Sequence, residues 1–260
     1  MTAGSPPLGA GSPQFVEADL PSSAEAAEGK QVGLISVVLP VHNQAAHIAA
    51  IINSYRDVLG QLGHPFELVL SVNGRGDDSL DVCETLAQTH PQVRVISDPR
   101  AGWGLAVKAG LRSARGDLLC YTNCARTSAA DLQQLLLKGL ERPDAVIKAI
   151  RRVRDNWKRR LGSALYNAEC RVLLGVKTRD VNATPKVFSR SHAALLGLTS
   201  DGDMIDAEFL FTCRREGFPV IEVPIFGNRR QGGSSTTNYR SAVGMYVGAY
   251  RLWRTSRGNA

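Results

Sequence analysis

Short apolar runs alternate with amphipathic stretches between Leu34 and Tyr121, and this alternation limits the possible folds more than any other sequence feature. The apolar runs have the length of strands that are buried on both faces, and the stretches between them carry apolar residues at helical spacing. Strands and helices that alternate in this way form right-handed crossovers around a parallel sheet. We therefore predict an α/β fold with a mostly parallel central sheet flanked by helices. The four predicted strands are 34–39, 66–72, 93–96 and 118–121.

Each of these four strands runs into a loop that is rich in polar residues, glycine or proline. Because the carboxyl ends of parallel strands share one edge of a sheet, the four loops are expected to converge there, where open α/β sheets bind ligands. Their convergence, rather than any single loop, predicts a binding site. The loops are 40–43, 73–76, 98–102 and 122–126.

The second half of the chain is less regular, and it ends in a basic, aromatic-rich stretch from Arg240 to Arg254. A helix that packs on the sheet is the favoured interpretation of that stretch, and a helix on a membrane surface is the alternative. A basic cluster precedes it in the chain, at Lys148, Arg151, Arg152, Arg154, Lys158, Arg159 and Arg160. We expect a disordered tail at 1–32, one large domain at 33–236, and a C-terminal amphipathic helix with a short tail at 237–260.

The net charge of +7 and the isoelectric point near 9.4 favour anionic partners, among them nucleotide phosphates, a lipid phosphate or an acidic membrane surface. The five cysteines are odd in number and widely spread, which is typical of reduced, buried thiols and of a cytoplasmic protein. No membrane span is indicated, because no apolar run reaches the roughly 18 residues that a spanning helix needs. No signal peptide is indicated, because the N-terminus lacks a basic segment followed by an apolar core.

Six segments, in the same order along the chain, resemble the motifs of inverting family 2 glycosyltransferases. They are ISVVLPVHNQAAHI, FELVLSVNGRGDDSL, RAGWGLAVKAGLRSARGDLLCYTN, TRDVNATPKVFSR, DMIDAEFLFTCRREGFPVIEVPI and RRQGGSS. The chain is most similar to the polyprenol-phosphate, dolichol-phosphate-mannose-synthase-like subgroup. The resemblance implies a GT-A fold and an inverting transfer of a sugar from a UDP- or GDP-sugar to an acceptor, with a polyprenyl phosphate as one candidate.

Two of these motifs lack the carboxylates that the family carries. Val72-Asn73-Gly74-Arg75 stands at the family's Asp-Asp-Gly-Ser, and Thr122-Asn123-Cys124 stands at its metal-binding Asp-x-Asp. Mg²⁺ and Mn²⁺ prefer several hard anionic oxygens, so a loop with two neutral oxygen groups and a thiol is a poor site for either ion. Either a metal is held elsewhere, or cationic side chains neutralise the diphosphate.

The resemblance implies catalytic roles for Glu208, at the acidic position of its helix, and for Arg230, in a loop that closes on phosphates. Asp206 is the second candidate carboxylate, although it could serve only the helix terminus. Asp180 is expected either to order the Lys186 loop or to form a structural ion pair. The expected donor-binding residues are Pro40, His42, Asn43, Asn73, Gly74, Arg75, Gly104, Lys108, Thr122, Asn123, Cys124 and Arg126. The expected phosphate- and acceptor-binding residues are Arg229, Arg230, Ser234, Lys186 and Arg160.

Each of these residues also has a purely structural interpretation, and the missing carboxylates leave two functions open. The arginines could be solvated surface groups, and Asn43 and Asn73 could only stabilise turns. The chain could be a transferase in the cytoplasm or peripheral at the inner face of the membrane. Alternatively, it could be a GT-A-like module that binds a sugar nucleotide or a partner without turnover. No nucleic acid partner is expected.

Overall fold

The computed structural model describes residues 32–74, 76–152, 157–225 and 239–258, except for the side chains of 157–161, 239–243, 256 and 258. The predicted N-terminal tail therefore lies outside the described residues, apart from its last position. So do the predicted site residues Arg75, Arg229, Arg230 and Ser234, together with the side chain of Arg160.

Seven strands and seven α-helices make up the described chain. The strands are β1 (Ile35–Val41), β2 (Phe66–Asn73), β3 (Val93–Asp98), β4 (Leu118–Tyr121), β5 (Val146–Arg151), β6 (Lys186–Ser189) and β7 (Val220–Ile225). The helices are α1 (Ile48–Gly60), α2 (Ser79–Thr89), α3 (Trp103–Ser113), α4 (Ala129–Glu141), α5 (Trp157–Leu174), α6 (Ile205–Arg215) and α7 (Tyr239–Gly258). A short 3₁₀-helix, Ala193–Leu196, lies between β6 and α6.

The strands form one sheet in the order β3-β2-β1-β4-β6-β5-β7. Only β6 runs antiparallel to its neighbours, β4 and β5, and the other pairs are parallel. The predicted α/β fold with a mostly parallel sheet is therefore confirmed. β1 and β3 extend to Val41 and Asp98, past the predicted strand ends, because both keep pairing with β2.

Helices cover both faces of the sheet. α1, α2 and α4 pack on one face, and α3, α5, α6 and α7 pack on the other. Successive side chains of a strand point to opposite faces of a sheet. In β1, Val37 packs with α1, α2 and α4, and the next residue, Val38, packs with the helices of the other face, so both faces of this strand are apolar. All five cysteines are buried and none is in a disulfide, as their spacing predicts.

The strand directions bring the predicted loops to one edge of the sheet, which we call the rim. β1 to β5 and β7 all end at the rim, and the antiparallel β6 begins there, with Lys186 opposite Tyr121. The four polar loops that follow β1 to β4 therefore share this edge. None of the helices in the described ranges combines the length and the apolarity that crossing a bilayer requires.

Candidate active site at the sheet rim

A cavity of about 320 Å³ opens where β1, β2 and β3 end. This volume lies at the lower end of the range that is typical of small-molecule sites. Three of the four loops that follow the predicted strands contribute to its wall, so the predicted convergence is present for these three. The lining residues are His42, Asn43, Val72, Asn73, Gly74, Asp77, Ser79, Leu80, Asp81, Ser97, Asp98 and Pro99.

The polar groups of this cavity also hold the loops together. His42 donates from Nδ1 to the Asn73 carbonyl oxygen over 2.7 Å, and the Asn73 side-chain amide donates to the Gly102 carbonyl oxygen over 2.6 Å. The Gly74 amide donates to the Asp98 carbonyl oxygen over 3.0 Å. These three bonds join the ends of β1, β2 and β3, so the cavity wall is shaped before any ligand arrives.

Backbone conformation explains why Gly74 and Asn43 occupy their positions. Gly74 has a φ of 74°, and a Cβ atom there would lie 2.9 Å from Cε1 of His42, so only glycine fits without strain. Asn43 has a φ of 52°, which asparagine tolerates better than most residues. Its buried Oδ1 atom has no hydrogen-bond partner among the described residues. Gly76 packs against this oxygen, and a Cβ atom at residue 76 would overlap it.

The loop after β4 holds the residues that stand at the family's Asp-x-Asp. Thr122 shares a hydrogen bond of 2.7 Å with the Thr127 hydroxyl, and Oδ1 of Asn123 accepts from the Ala125 amide over 3.1 Å. The Cys124 thiol is buried and points to the Pro40 carbonyl oxygen, 3.8 Å away. The side-chain oxygens of the loop are thus engaged within the loop itself.

This donor set does not fit a divalent metal ion. A hard cation prefers several anionic oxygens, and the loop offers none. Nowhere in the described part of the chain do three or more His, Cys, Asp or Glu side chains form a group that could hold a metal. Arg126 ends the same turn, and its backbone amide donates to the Asn123 carbonyl oxygen over 3.0 Å. The loop therefore carries a cationic residue directly after the positions where the family has carboxylates.

Asp206 lies below the rim, at the centre of a buried polar group. Its carboxylate accepts hydrogen bonds from the Tyr121 hydroxyl at 2.9 Å and from the Trp103 indole at 3.1 Å, and it pairs with the Lys186 ammonium. Burial, reinforced by the Asp206 charge, raises the pKa of Tyr121 well above its usual value, so Tyr121 remains a donor. The Lys186 side chain is completely buried, and its ammonium group forms an ion pair with the Asp206 carboxylate in this structure.

Glu208, the predicted acidic position, anchors the segment 199–201. One carboxylate oxygen accepts from the backbone amide and the hydroxyl of Thr199, and the other accepts from the Ser200 amide, each over 2.8 Å. Burial favours the neutral form, but these hydrogen bonds outweigh it and hold the pKa of Glu208 below its usual value. Glu208 is therefore an ionised, hydrogen-bonded carboxylate in this structure.

Two predicted donor-binding residues contact the same 199–201 segment. Lys108 donates to the Thr199 carbonyl oxygen over 2.6 Å and forms an ion pair of 2.5 Å with Asp201. A Cβ atom at Gly104 would clash with the Ser200 carbonyl oxygen, so this segment packs directly on α3. Glu208, Lys108 and Gly104 thus have a common structural partner. The catalytic role of Glu208 and the donor-binding roles of Lys108 and Gly104 stay predictions.

A second buried charge cluster lies where β5 and β6 pair. Lys148 donates to the Asp180 carbonyl oxygen at 2.7 Å, to the Thr178 hydroxyl at 3.0 Å and to the Glu222 carboxylate at 3.1 Å. Burial is the main reason why the pKa of Lys148 falls to about 8. Arg151 donates twice to the Asp180 carboxylate, at 2.8 and 2.7 Å, which is the structural ion pair considered for Asp180.

Two members of the predicted basic cluster are therefore paired with carboxylates inside the fold. Lys148 is buried and Arg151 is mostly occupied by Asp180, so neither side chain is a solvated surface group. The sequence pattern missed this because the acidic partners come from distant segments. Trp103 and Tyr121 were missed in the same way, although an indole beside a glycine-rich turn and a tyrosine at a strand end are both signals of buried donors.

The comparisons with known proteins agree with this architecture. A family model described as "Glycosyl transferase family 2" matches residues 36–196, which is more than half of the chain. An undecaprenyl-phosphate 4-deoxy-4-formamido-L-arabinose transferase of Aeromonas hydrophila is 25% identical over 162 residues, which cover 61% of this chain and 50% of that protein. The protein of the same name from Pseudomonas syringae is 27% identical over 163 residues, covering 62% and 48%. The chain spans about half the length of the curated relatives that it matches.

Among solved structures, glucosyl-3-phosphoglycerate synthase from Mycobacterium tuberculosis shares the fold. Its complex with Mn²⁺, UDP and phosphoglyceric acid aligns with a TM-score of 0.63 at 20% identity, covering 83% of this chain and 75% of that one. Its complex with phosphoglyceric acid gives a TM-score of 0.65 at 19% identity, covering 84% and 79%. The expected GT-A fold and the family resemblance are both confirmed: the chain belongs to glycosyl transferase family 2.

Proposed function

We propose that this protein is an inverting glycosyltransferase that moves a sugar from a UDP- or GDP-sugar to a polyprenyl phosphate. The observation that carries the proposal is the cavity at the ends of β1 to β3, whose wall offers polar groups of the kind that a nucleoside requires. Membership of family 2 supports the reaction class. The names of the curated relatives support the acceptor, and the UDP complex of the M. tuberculosis enzyme supports the donor class.

In this proposal the nucleoside occupies the cavity, and the diphosphate lies toward the loop after β4. Asn43, which lines the cavity, contacts the nucleoside. Arg126 neutralises the diphosphate, together with Arg229 and Arg230 from the segment outside the described residues. Guanidinium groups suit this task because they bind phosphate through two parallel hydrogen bonds and stay charged at neutral pH.

A phosphate acceptor would explain why the two candidate carboxylates, Asp206 and Glu208, are already hydrogen-bonded within the protein. A hydroxyl acceptor needs a base to remove its proton, whereas an oxygen of a phosphate monoester is nucleophilic without one. Asp206 and Glu208 are both buried and fully hydrogen-bonded, which suits a reaction that needs no carboxylate base. The phosphate oxygen then attacks the anomeric carbon, and the bond to the nucleoside diphosphate breaks with its electron pair leaving on the diphosphate.

A GT-A-like module that binds a sugar nucleotide without turnover is the second candidate. The same observations favour it, because neither candidate carboxylate is available as a base and the loop after β4 holds no metal ligand set. Sugar transfer is the proposal that we prefer, since the cavity and the family's order of motifs are retained. In the transferase case, we infer a location in the cytoplasm at the inner face of the membrane, and the proposed lipid acceptor and the buried free thiols support this inference.

Calorimetric titration of UDP, GDP, CDP and ADP tests the donor site. One nucleotide is expected to bind with much higher affinity than the other three. Ser97→Trp should abolish its binding, because an indole at this exposed lining position fills the cavity. Ser54→Trp, on an exposed position of α1, is the matched control and should bind as the parent does. Equal binding by the parent and Ser97→Trp would place the nucleotide elsewhere.

A further inference from the structure

We propose that α5 and α7 together form a docking face for a bilayer with anionic headgroups. The two helices pack side by side: the rings of Tyr166 and Tyr246 meet edge to face at 5.6 Å, and the Tyr246 hydroxyl donates to the Gly162 carbonyl oxygen over 2.9 Å. α5 follows β5, which ends at the rim, so this face begins at the same edge of the sheet as the proposed active site.

The outward face of both helices carries large apolar side chains. On α5, Tyr166, Cys170 and Leu174 are buried, and the opposite side bears Leu165 and Val172, which are 57% and 81% exposed. These two residues are seven positions apart and therefore lie on one stripe of the helix. On α7, Met245 and Ala249 are buried, whereas Val247 and Tyr250 are 43% and 50% exposed. Among the side chains that the structure describes, six large apolar ones are exposed, and four of them belong to these two helices.

Basic residues surround this apolar surface. The sequences of α5 and α7 hold eight Lys and Arg residues and a single carboxylate, Glu169, an excess of seven that equals the net charge of the whole chain. The side chains of Arg171, Arg251, Arg254 and Arg257 are described and exposed. The guanidinium of Arg257 lies over the Trp253 ring at 4.6 Å, and the Tyr250 and Trp253 rings are 5.6 Å apart.

This combination fits a lipid surface better than an acidic protein. Helices that lie on membranes combine exposed apolar residues with flanking Lys and Arg, and Tyr and Trp favour the headgroup level. A lipid-linked acceptor at the neighbouring rim would suit this location, but the docking face does not depend on transferase activity. Vesicle binding is measured without donor or acceptor, so either proposal can fail while the other holds.

Co-sedimentation of the full chain with lipid vesicles tests the proposal. The parent is expected to bind vesicles of phosphatidylcholine and phosphatidylglycerol, to bind pure phosphatidylcholine much more weakly, and to be released by salt. Leu165→Ser with Val172→Ser, and separately Arg251→Gln with Arg254→Gln, should each weaken partitioning about tenfold or more. All four positions are exposed, so both double variants should unfold at the parental temperature.

Leu137→Ser with Lys138→Gln is the matched control. Leu137 is 45% exposed on α4, which covers the other face of the sheet, and this variant should partition within about twofold of the parent. The proposal is overturned if the parent ignores anionic vesicles or if the α5 and α7 variants partition as the parent does. It is also overturned if light scattering shows a dimer that Leu165→Ser with Val172→Ser dissociates, because a second copy would then cover this face.

Discussion

The carboxylate of Asp206 and the ammonium of Lys186 form an ion pair that is buried below the rim, between α6 and β6. Tyr121 from β4 and Trp103 from α3 complete the coordination of the carboxylate. One acidic side chain therefore joins four elements that come from separate parts of the chain. The Lys186 ammonium also faces the rings of Tyr121 and Phe209, at 5.2 and 5.8 Å from their centroids.

Asp206→Asn is expected to destabilise the protein by about 3 kcal/mol, because it leaves the buried Lys186 ammonium without its counterion. Urea denaturation measures this loss. Asp201→Asn is the control, since Asp201 is an exposed partner of Lys108 and should contribute at most about 1 kcal/mol. A variant at Asp206 that keeps full stability but loses sugar transfer would instead give this carboxylate a role in the chemistry.

Glu208→Gln tests whether Glu208 acts as an anchor of the 199–201 segment. Because the folded-state pKa of Glu208 is depressed, its charge contributes stability above the unfolded pKa, about 4.3, and this contribution is lost as the pH falls through the folded pKa. The variant should therefore be less stable by about 2 kcal/mol at pH 7, and the difference should shrink in acid.

Denaturation at a series of pH values measures this difference, with Glu216→Gln, at the exposed residue that directly follows α6, as the control. A stability difference that does not change with pH would contradict a role for the Glu208 charge, and so would a loss of transfer with full stability at pH 7.

The five thiols should react only when the protein unfolds. All are buried, and burial is the main cause that raises the pKa of Cys170 to about 11 and the pKa of Cys83 and Cys213 to about 12. Since the thiolate is the reactive form, a disulfide reagent should label the native protein far more slowly than the protein in urea. Ser54→Cys, at an exposed position, should add one thiol that reacts at once. Rapid native labelling of the parent would mean that a buried thiol becomes accessible.

Chelation of divalent metal should leave nucleotide affinity within about tenfold, or roughly 1.4 kcal/mol. The reason is that the loop after β4 presents no anionic oxygen, in contrast to what Mg²⁺ and Mn²⁺ prefer. Titration with EDTA, followed by added Mn²⁺, makes the measurement. A complete loss of binding that Mn²⁺ restores would show that residues other than Thr122 to Cys124 hold a metal.

Much of the fold could be predicted because its signals are local. Apolar runs mark the strands, and the polar loops after β1 to β4 follow from strand direction, so the cavity at the rim was expected before its geometry was known. Val41 and Asp98 extend their strands beyond the predicted ends because pairing with β2, rather than local composition, decides where those strands end.

The partners of the charged residues could not be predicted, because they arise from long-range packing. Trp103 and Asp206 are 103 positions apart in the chain, and Lys148 meets Glu222 across 74 positions. Lys148 resembles a surface lysine in a basic stretch, yet it is buried because β5 lies between β6 and β7. Only the assembled sheet shows which charges are internal.

Release of nucleoside diphosphate from UDP- and GDP-sugars tests the central claim most directly. The assay compares a polyprenyl phosphate with the corresponding alcohol, which lacks the nucleophilic phosphate oxygen. We predict that one donor is turned over with the phosphate and not with the alcohol, because Asp206 and Glu208 are engaged in structural hydrogen bonds and supply no base. A nucleotide that binds in the cavity, with no release above background from any donor or acceptor, would contradict sugar transfer and identify a binding module.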